Sequence, residues 1–500
     1  MSFKVTFIGA GSIGFTRGLL RDILSVKEFS DIKVSFTDIS EENLDMVTKL
    51  CQRDIDENDL NIKIEATTNR REALKEAKYV FNVVRIGGLD AFKLDVDIPL
   101  KYGIDQCVGD TLCAGGIMYG QRGIAAILDF CKDIREVAAP DCIMLNYANP
   151  NAMITWACNK YGKVHTIGLC HGVQGGHHQI AEVLGLKQEE VDIICAGINH
   201  QTWYIQVTHK GQDMKAKLLE AFEKHPEYSK TEKVRIDMLR RFGYYSTESN
   251  GHLSEYVPWY RKRLDEIKDW IDLGCWINGE TGGYLRVCTE GRNWFETDFP
   301  NWMKEPSFVF AEENRSHEHG SYIIEGLETG RIYRGHFNVI NNGTITNLPA
   351  DAIVEVPGYV DKNGINIPRV GDLPLGCAAV CNNSISVQRM AVEAAVKGDD
   401  LLLRQSMMLD PLVGAVCNPP EIWQLVDEIL VAQEQWLPQY SSAIEKAKIR
   451  LASGNLIKTK SFEGAARLQV KTVEEMKLDR EAATKNASAA DKAMERPAEK

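Results

Sequence analysis

Several groups of residues in this 500-residue chain have types and spacings that could do chemistry. The first is the turn Gly9-Ala10-Gly11-Ser12-Ile13-Gly14, with Asp38 standing 24 residues past Gly14. A glycine at the first position makes a tight turn. A glycine at the second lets the backbone approach a pyrophosphate, and one at the last allows close helix–strand packing. The helix that follows attracts phosphate through its unpaired N–H groups. An acid at the position of Asp38 bonds a ribose 2′-hydroxyl and would repel a 2′-phosphate, which favours NAD over NADP. Gly9, Gly11, Ser12, Gly14 and Asp38 are therefore the candidate cofactor residues.

The second group consists of polar residues that recur beside glycines. It comprises Gly109-Asp110-Thr111 with Gly115-Gly116-Ile117, Asn146-Tyr147-Ala148-Asn149-Pro150, Gly168-Leu169-Cys170-His171-Gly172 and Gly197-Ile198-Asn199-His200. Taken singly, each has an ordinary reading. Cys170 could be a core thiol, His200 a satisfied structural histidine, and Asp110 an Asx-turn or helix cap.

These residues need elements to position them. The alternation in Lys4–Ile8 predicts a strand, and residues 15–25 carry apolar side chains at helical spacing. Lys33–Thr37 reads as a second strand that delivers Asp38. Buried strands are expected over 78–85, 142–147 and 164–169, with helices over 70–77 and 120–138 between them. Alternating strands and helices predict an α/β fold, a Rossmann-type doubly wound parallel sheet. In such sheets ligands bind beyond the carboxyl ends of the strands, where Gly87-Gly88, Asn146–Pro150 and Cys170-His171 would fall. Residues 331–356 alternate as strands around an Asn341-Asn342-Gly343 turn, and 385–396 and 421–436 read as amphipathic helices. The expected division is a nucleotide-binding domain over 1–196, an α+β domain for substrate, metal and oligomerisation over 197–457, and a polar tail over 458–500. Within that tail, 474–500 reads as a solvated helix or disordered segment with no catalytic role.

Together the motifs resemble glycoside hydrolase family 4 over roughly residues 3–440. The early Gly-Ala-Gly-Ser, Gly-Asp-Thr with Gly-Gly-Ile, Asn-Tyr-x-Asn-Pro, Cys-His-x-Val-Gln-Gly and Gly-Ile-Asn-His follow in order. Thr247-Glu248-Ser249, His252-Leu253-Ser254-Glu255-Tyr256 and Asn347-Leu348-Pro349 come later. Cys-His-x-Val-Gln-Gly and His-x-x-Glu-Tyr-x-Pro-Trp look most like the α-galactosidase branch, and the overall plan resembles the lactate/malate dehydrogenases. The resemblance implies an NAD- and Mn²⁺-dependent α-glycosidase, a family outside two-carboxylate glycosidase chemistry. Oxidation at sugar C3 acidifies the C2 proton, a base removes it, and the glycosidic oxygen leaves from C1. Water then adds and C3 is reduced again.

Carried over by motif, Cys170 and His200 match the metal pair, His171 the general acid, and Asp110 and Asn149 the substrate contacts. Ligand softness alone would suggest zinc, so manganese rests on the resemblance. The C2 base is expected to be Tyr256, lowered in pKa by the metal, with His252 second. The aspartate that some members place nearby is Asn250 here, which cannot be a base. The loop after Gly-Asp-Thr, often Gly-Pro-Gly-Gly in the family, is Cys113-Ala114-Gly115-Gly116 in this chain.

Composition narrows the alternatives. Lys plus Arg is 58 against 70 for Asp plus Glu, a net charge of −12, with 44% apolar residues. An acidic chain without a basic run is a poor binder of nucleic acid or anionic membrane. No run approaches the roughly 18 apolar residues of a membrane span, and the N-terminus lacks a signal h-region, so a cytoplasmic location is expected. The thirteen cysteines are scattered, without CxxC, and free thiols are expected. A homodimer or homotetramer acting on a small α-glycoside is the expected assembly. α-Glucoside and α-galacturonide or α-glucuronide are the runner-up substrates, and a phosphorylated sugar is disfavoured by the lack of a basic cluster. An NAD-dependent hydroxy-acid dehydrogenase, releasing NADH and needing no metal, and a nucleotide-sensing protein without chemistry are the rival classes.

Overall fold

The computed structural model describes residues 2–273 and 278–494. Its strands are β1 (Lys4–Ile8), β2 (Lys33–Thr37), β3 (Ile64–Ala66), β4 (Tyr79–Asn82), β5 (Ile143–Asn146), β6 (Thr166–Gly168), β7 (Asp192–Ile198), β8 (Gln201–His209), β9 (Gln212–Asp213), β10 (Tyr333–Ile340), β11 (Ile353–Asp361) and β12 (Gly364–Asn366). Among the described residues all twelve join one sheet, in the order β3-β2-β1-β4-β5-β6-β10-β11-β7-β8-β9, with β12 beside β11. The first six pair in parallel. Their order, 3-2-1-4-5-6, is that of a dinucleotide-binding fold. From β6 onward the pairing is antiparallel. The sheet therefore changes character at β6, the strand that ends just before Cys170.

The inner parallel strands, such as β1, β4 and β6, are buried on both faces, so they read as apolar runs rather than as alternation. Val5 and Phe7 of β1 are fully buried, and Phe7 stacks on Phe81 at 4.8 Å between ring centroids. One face is covered by helices Ile13–Leu24, Glu41–Glu57 and His319–Thr329. The other is covered by Cys113–Val137, Leu375–Lys397 and Pro419–Ala432. Helices from the C-terminal half thus complete the shell around the N-terminal strands. The division expected between residues 196 and 197 falls inside β7.

Other expectations differ from the structure in detail. β3 was not anticipated, because three residues with one buried side chain give no periodic signal. Asn341-Asn342-Gly343 makes a turn, with Thr344 N–H bonded to Asn341 O, but it does not close the β10–β11 hairpin. Instead Asn341 ties down the long connection, donating to the carbonyls of Ile345 and Leu348 and accepting from Ile345 N. Cys113-Ala114-Gly115-Gly116 is not a loop but the first turn of helix Cys113–Val137. The twelve cysteines among the described residues are free, and Cys275 lies outside them.

The segment expected to be a polar tail begins as a packed strap. Lys460 N–H bonds Lys101 O, Ala465 N–H bonds Asp105 Oδ2 at 2.8 Å, and Ala466 is buried. Helix Val473–Met494 then runs along helix Gly283–Trp302 through a Lys477–Asp298 ion pair, with Arg480 paired to Glu305 just past that helix's end, and residues 495–500 lie outside the described residues. Asp105 is the hub of the strap. Its carboxylate, with no exposed surface, also accepts from Arg261 Nη2 and Thr281 Oγ1. Removing one partner of a buried ion pair leaves the other charge unpaired, at a cost of about 3–5 kcal/mol. Asp105→Ala is expected to lower the urea unfolding free energy by about that amount. An unchanged midpoint and slope would show that the hub does not hold the strap.

Candidate functional site

The glycine turn leaves β1 and is shaped by what surrounds it. Gly9 has φ +86°, and a Cβ there would lie 2.9 Å from Val84 Cγ1 and N. Gly11 N–H donates to Asp38 Oδ2 at 2.8 Å, and Ser40 N–H donates to Oδ1 at 2.9 Å. A Cβ on Gly11 would lie 2.9 Å from that same Oδ2. Glycine therefore lets the turn sit directly on the acid, as a ribose-binding carboxylate at the end of β2 requires. Ser12 precedes helix Ile13–Leu24 and makes no capping bond through its side chain. Gly14 departs from expectation. A Cβ there would meet nothing within 4 Å, so this glycine is not explained by close helix–strand packing.

Three strand spacings away, roughly 14 Å at 4.8 Å per strand, the chain leaves β6 and reaches Cys170. Cys170, His200 and Glu248 form one group whose potential ligand atoms lie within 4.8 Å of each other, and Asp110, His200 and His252 form another. The sequence-predicted residues Cys170, His200, Asp110, Asn149, His252 and Tyr256 are thus brought together around His200. Asn149 Nδ2 donates to Asp110 Oδ2 at 2.8 Å. The His200 and His252 rings meet edge to face at 4.7 Å, and Tyr256 OH lies 3.4 Å from His200 Nδ1.

Local backbone explains how His200 gets there. Asn199 and His200 are the two residues between the paired ends of β7 and β8, and His200 has φ +63°. A non-glycine side chain in that region costs of order 1–3 kcal/mol, and such strain is found at functional sites. The ring's tautomer follows from its partners. Thr111 Oγ1 donates its one proton to Asp110 Oδ1 at 2.8 Å. It can then only accept from His200 Nδ1–H, 3.0 Å away. The lone pair of His200 is left on Nε2, which faces Glu248 Oε2 at 3.8 Å. Fixing the far ring nitrogen in this way is how metal-binding imidazoles are oriented.

The loop that supplies Asp110 and Thr111 is itself held from below. The buried Glu255 carboxylate accepts from the N–H groups of Cys107, Val108 and Gly109. Gly115 and Gly116 let the next helix press against it, since a Cβ on Gly116 would lie 2.4 Å from Thr111 C.

The electrostatics divide the site. Burial and the neighbouring Glu248 push the Cys170 thiol well above its usual range. Burial also raises the Tyr256 phenol, with Glu255 and Asp110 adding to it, so the lowered pKa expected for this tyrosine depends wholly on a cation's charge. Burial would raise Glu248 too, but the imidazoles of His200, His252 and His171 outweigh it and bring the carboxyl down to about 2. Burial lowers His252 to about 4, and its Nδ1 lies 2.6 Å from Ser249 Oγ. His171, with a side chain 57% exposed, stands apart from the buried group. Its Nδ1 lies 3.4 Å from Glu318 Oε1, and that contact, with the charge of Glu248 behind it, raises it to about 9. That shift favours the protonated form, the form a proton donor needs.

A thiol, an imidazole lone pair and a carboxylate converging at one point fit a divalent metal, because once the thiol ionises all three are electron-pair donors to one cation. Sequence reasoning missed Glu248 as a site residue. It stands 78 residues from Cys170, and no spacing rule links them. It also missed Thr111, which fixes the His200 tautomer, and Glu318.

Two family models match the chain: "Family 4 glycosyl hydrolase" over residues 4–186 and "Family 4 glycosyl hydrolase C-terminal domain" over 195–413. An α-galactosidase of Rhizobium meliloti (strain 1021) is 59% identical over 96% of this chain and 98% of its own length. An α-galactosidase of Bacillus subtilis (strain 168) is 33% identical over 87% and 99% respectively. Among solved structures, a 6-phospho-α-glucosidase from gut microorganisms in complex with NAD and glucose-6-phosphate superposes with a TM-score of 0.73. It is 26% identical and covers 88% of this chain and 99% of that one. The chain belongs to glycosyl hydrolase family 4.

Proposed function

We propose that this chain hydrolyses α-galactosides, using NAD and a divalent metal, Mn²⁺, that it holds throughout turnover. The observation that carries the reading is the donor group at Cys170 and His200, set beyond the carboxyl end of the same parallel sheet whose first turn fits a dinucleotide. The α-galactosidase at 59% identity supports the choice of sugar, and a relative solved with NAD supports the cofactor. α-Glucosidase and α-galacturonidase relatives, at 28% and 26% identity, mark the runner-up substrates.

When bound, NAD supplies a reversible hydride acceptor for sugar C3, and the metal supplies Lewis acidity at the adjacent oxygens. The chain's own residues do the rest. Gly11 and Asp38 seat the dinucleotide. Cys170 and His200 hold the metal. Asp110, oriented by Asn149 and Thr111, accepts hydrogen bonds from sugar hydroxyls. His171, protonated through Glu318, gives its proton to the glycosidic oxygen as that oxygen leaves C1. Tyr256 takes the proton from C2, and His252 is the second candidate for that task. The buried surroundings of Tyr256 exclude water from the proton it removes. A hydroxy-acid dehydrogenase would use the same nucleotide turn but has no use for the donor group around His200.

On a panel of nitrophenyl glycosides with NAD⁺, Mn²⁺ and a reductant, the α-galactoside is expected to turn over fastest. Chelation is expected to abolish activity, and Mn²⁺ to restore the wild type but not Cys170→Ser. A faster α-glucoside or α-galacturonide would move the substrate to that relative's sugar, and stoichiometric NADH release would favour the dehydrogenase.

The acid can be isolated by leaving-group chemistry. His171→Ala is expected to lower kcat by about 10²–10⁴-fold on an alkyl or sugar aglycone, the usual worth of a general acid. With 4-nitrophenolate, which leaves without protonation, the loss is expected to be far smaller. Equal losses on both substrates would assign His171 a binding role instead.

A further inference from the structure

Glu248 is the member of the Cys170–His200 donor group that the motif assignment leaves without a task. Its Oε2 lies 3.6 Å from Cys170 Sγ and 3.8 Å from His200 Nε2. One carboxylate oxygen is therefore within reach of both residues of the metal pair. The tautomer argument makes the arrangement specific. With Nδ1–H committed to Thr111, the Nε2 lone pair of the neutral ring faces a carboxylate oxygen, which also accepts from the Cys170 thiol; once that thiol ionises, the sulfur completes a triangle of electron-pair donors. In the neutral ring this lone pair and the carboxylate oxygen repel, and a proton or a metal cation between them removes the repulsion.

A second, independent feature points the same way. Gly172 has no left-handed φ to require glycine, yet a Cβ there would sit 1.8 Å from Glu248 Oε2. The absence of a Cβ leaves a space that this carboxylate occupies, and any side chain there would displace it. Gly172 N–H also points at Cys170 Sγ, 3.4 Å away, as a donor to a thiolate would.

We infer that Glu248 is a third protein ligand of the divalent metal, and that Gly172 is the opening through which it reaches the ion. The inference rests on the reading of Cys170 and His200 as the metal pair. Its chemistry answers a puzzle of that pair. A thiolate and an imidazole favour a soft or borderline ion such as zinc, whereas a carboxylate is a hard donor that suits manganese. Thiolate and carboxylate together also match the charge of a divalent cation. Three protein ligands would leave coordination positions open to sugar oxygens.

The test is Mn²⁺ binding to the NAD-loaded protein without substrate, read by the electron paramagnetic resonance signal of free Mn²⁺. Wild type, Glu248→Gln, Glu248→Asp, Gly172→Ala and Cys170→Ser are compared, with NAD⁺ affinity and melting temperature recorded for each. Glu248→Gln is expected to weaken Mn²⁺ binding by about 10–100-fold while leaving NAD⁺ binding in place, with Glu248→Asp recovering part of the loss. Gly172→Ala keeps all three donors, so its expected weakening reports displacement of the carboxylate even if Glu248→Gln folds poorly. Zinc binding is expected to suffer less than manganese binding in Glu248→Gln. Wild-type Mn²⁺ affinity in Glu248→Gln and Gly172→Ala, with binding lost in Cys170→Ser, would overturn the third ligand and leave the pair standing. Wild-type affinity in Cys170→Ser as well would overturn both.

Discussion

A sulfur atom, an imidazole lone pair and a carboxylate oxygen from three distant stretches of chain meet in a largely buried cluster. Such a meeting is unfavourable by itself, because each group loses solvation and the only donor among them is the weak Cys170 S–H that faces Glu248. Much of the surrounding structure serves to enforce it. His200 accepts a positive φ at a tight turn, Thr111 fixes which nitrogen carries the proton, and Gly172 leaves the gap that Glu248 fills. Glu255 braces the backbone that carries Thr111 and Asp110. Each device gives up local stability or freedom for position, a pattern typical of a site rather than of a core.

The sheet explains why these stretches meet. Six parallel strands deliver the nucleotide turn, Asp38 and Cys170 to one edge of the fold. The antiparallel strands that continue the sheet bring His200 in on the β7–β8 turn, and the segment after them brings Glu248, His252 and Tyr256. A cofactor on the parallel half and a metal at the junction can then address neighbouring carbons of one sugar. The strap over residues 460–472 fastens to Asp105, five residues before Asp110, so even the last part of the chain bears on the same loop.

The sequence made some of this legible and hid the rest for physical reasons. β1 and β2 were readable to the residue because a strand buried on both faces, followed by a glycine turn or an acid, is a local pattern. The nucleotide turn and the motifs around Cys170 and His200 were readable because they are short and contiguous. Glu248 was not, because its role depends on a contact across 78 residues and on a missing Cβ at Gly172. Gly14 shows the reverse error, a standard glycine role that the actual packing does not require. The strap was misread because its sequence is polar. What anchors it are backbone N–H groups and a buried aspartate, which composition does not reveal.

The central claim is that this site breaks and remakes the C2–H bond of the sugar, with Tyr256 or His252 taking the proton. Hydrolysis of an α-galactoside in D₂O, with the galactose product examined by NMR, tests it directly. The account predicts deuterium at C2 of the product, with incorporation accompanying turnover and lost together with activity when the base is removed. A two-carboxylate glycosidase never touches that bond. Complete hydrolysis with protium retained at C2 would contradict the account, whatever the fate of the metal and the cofactor.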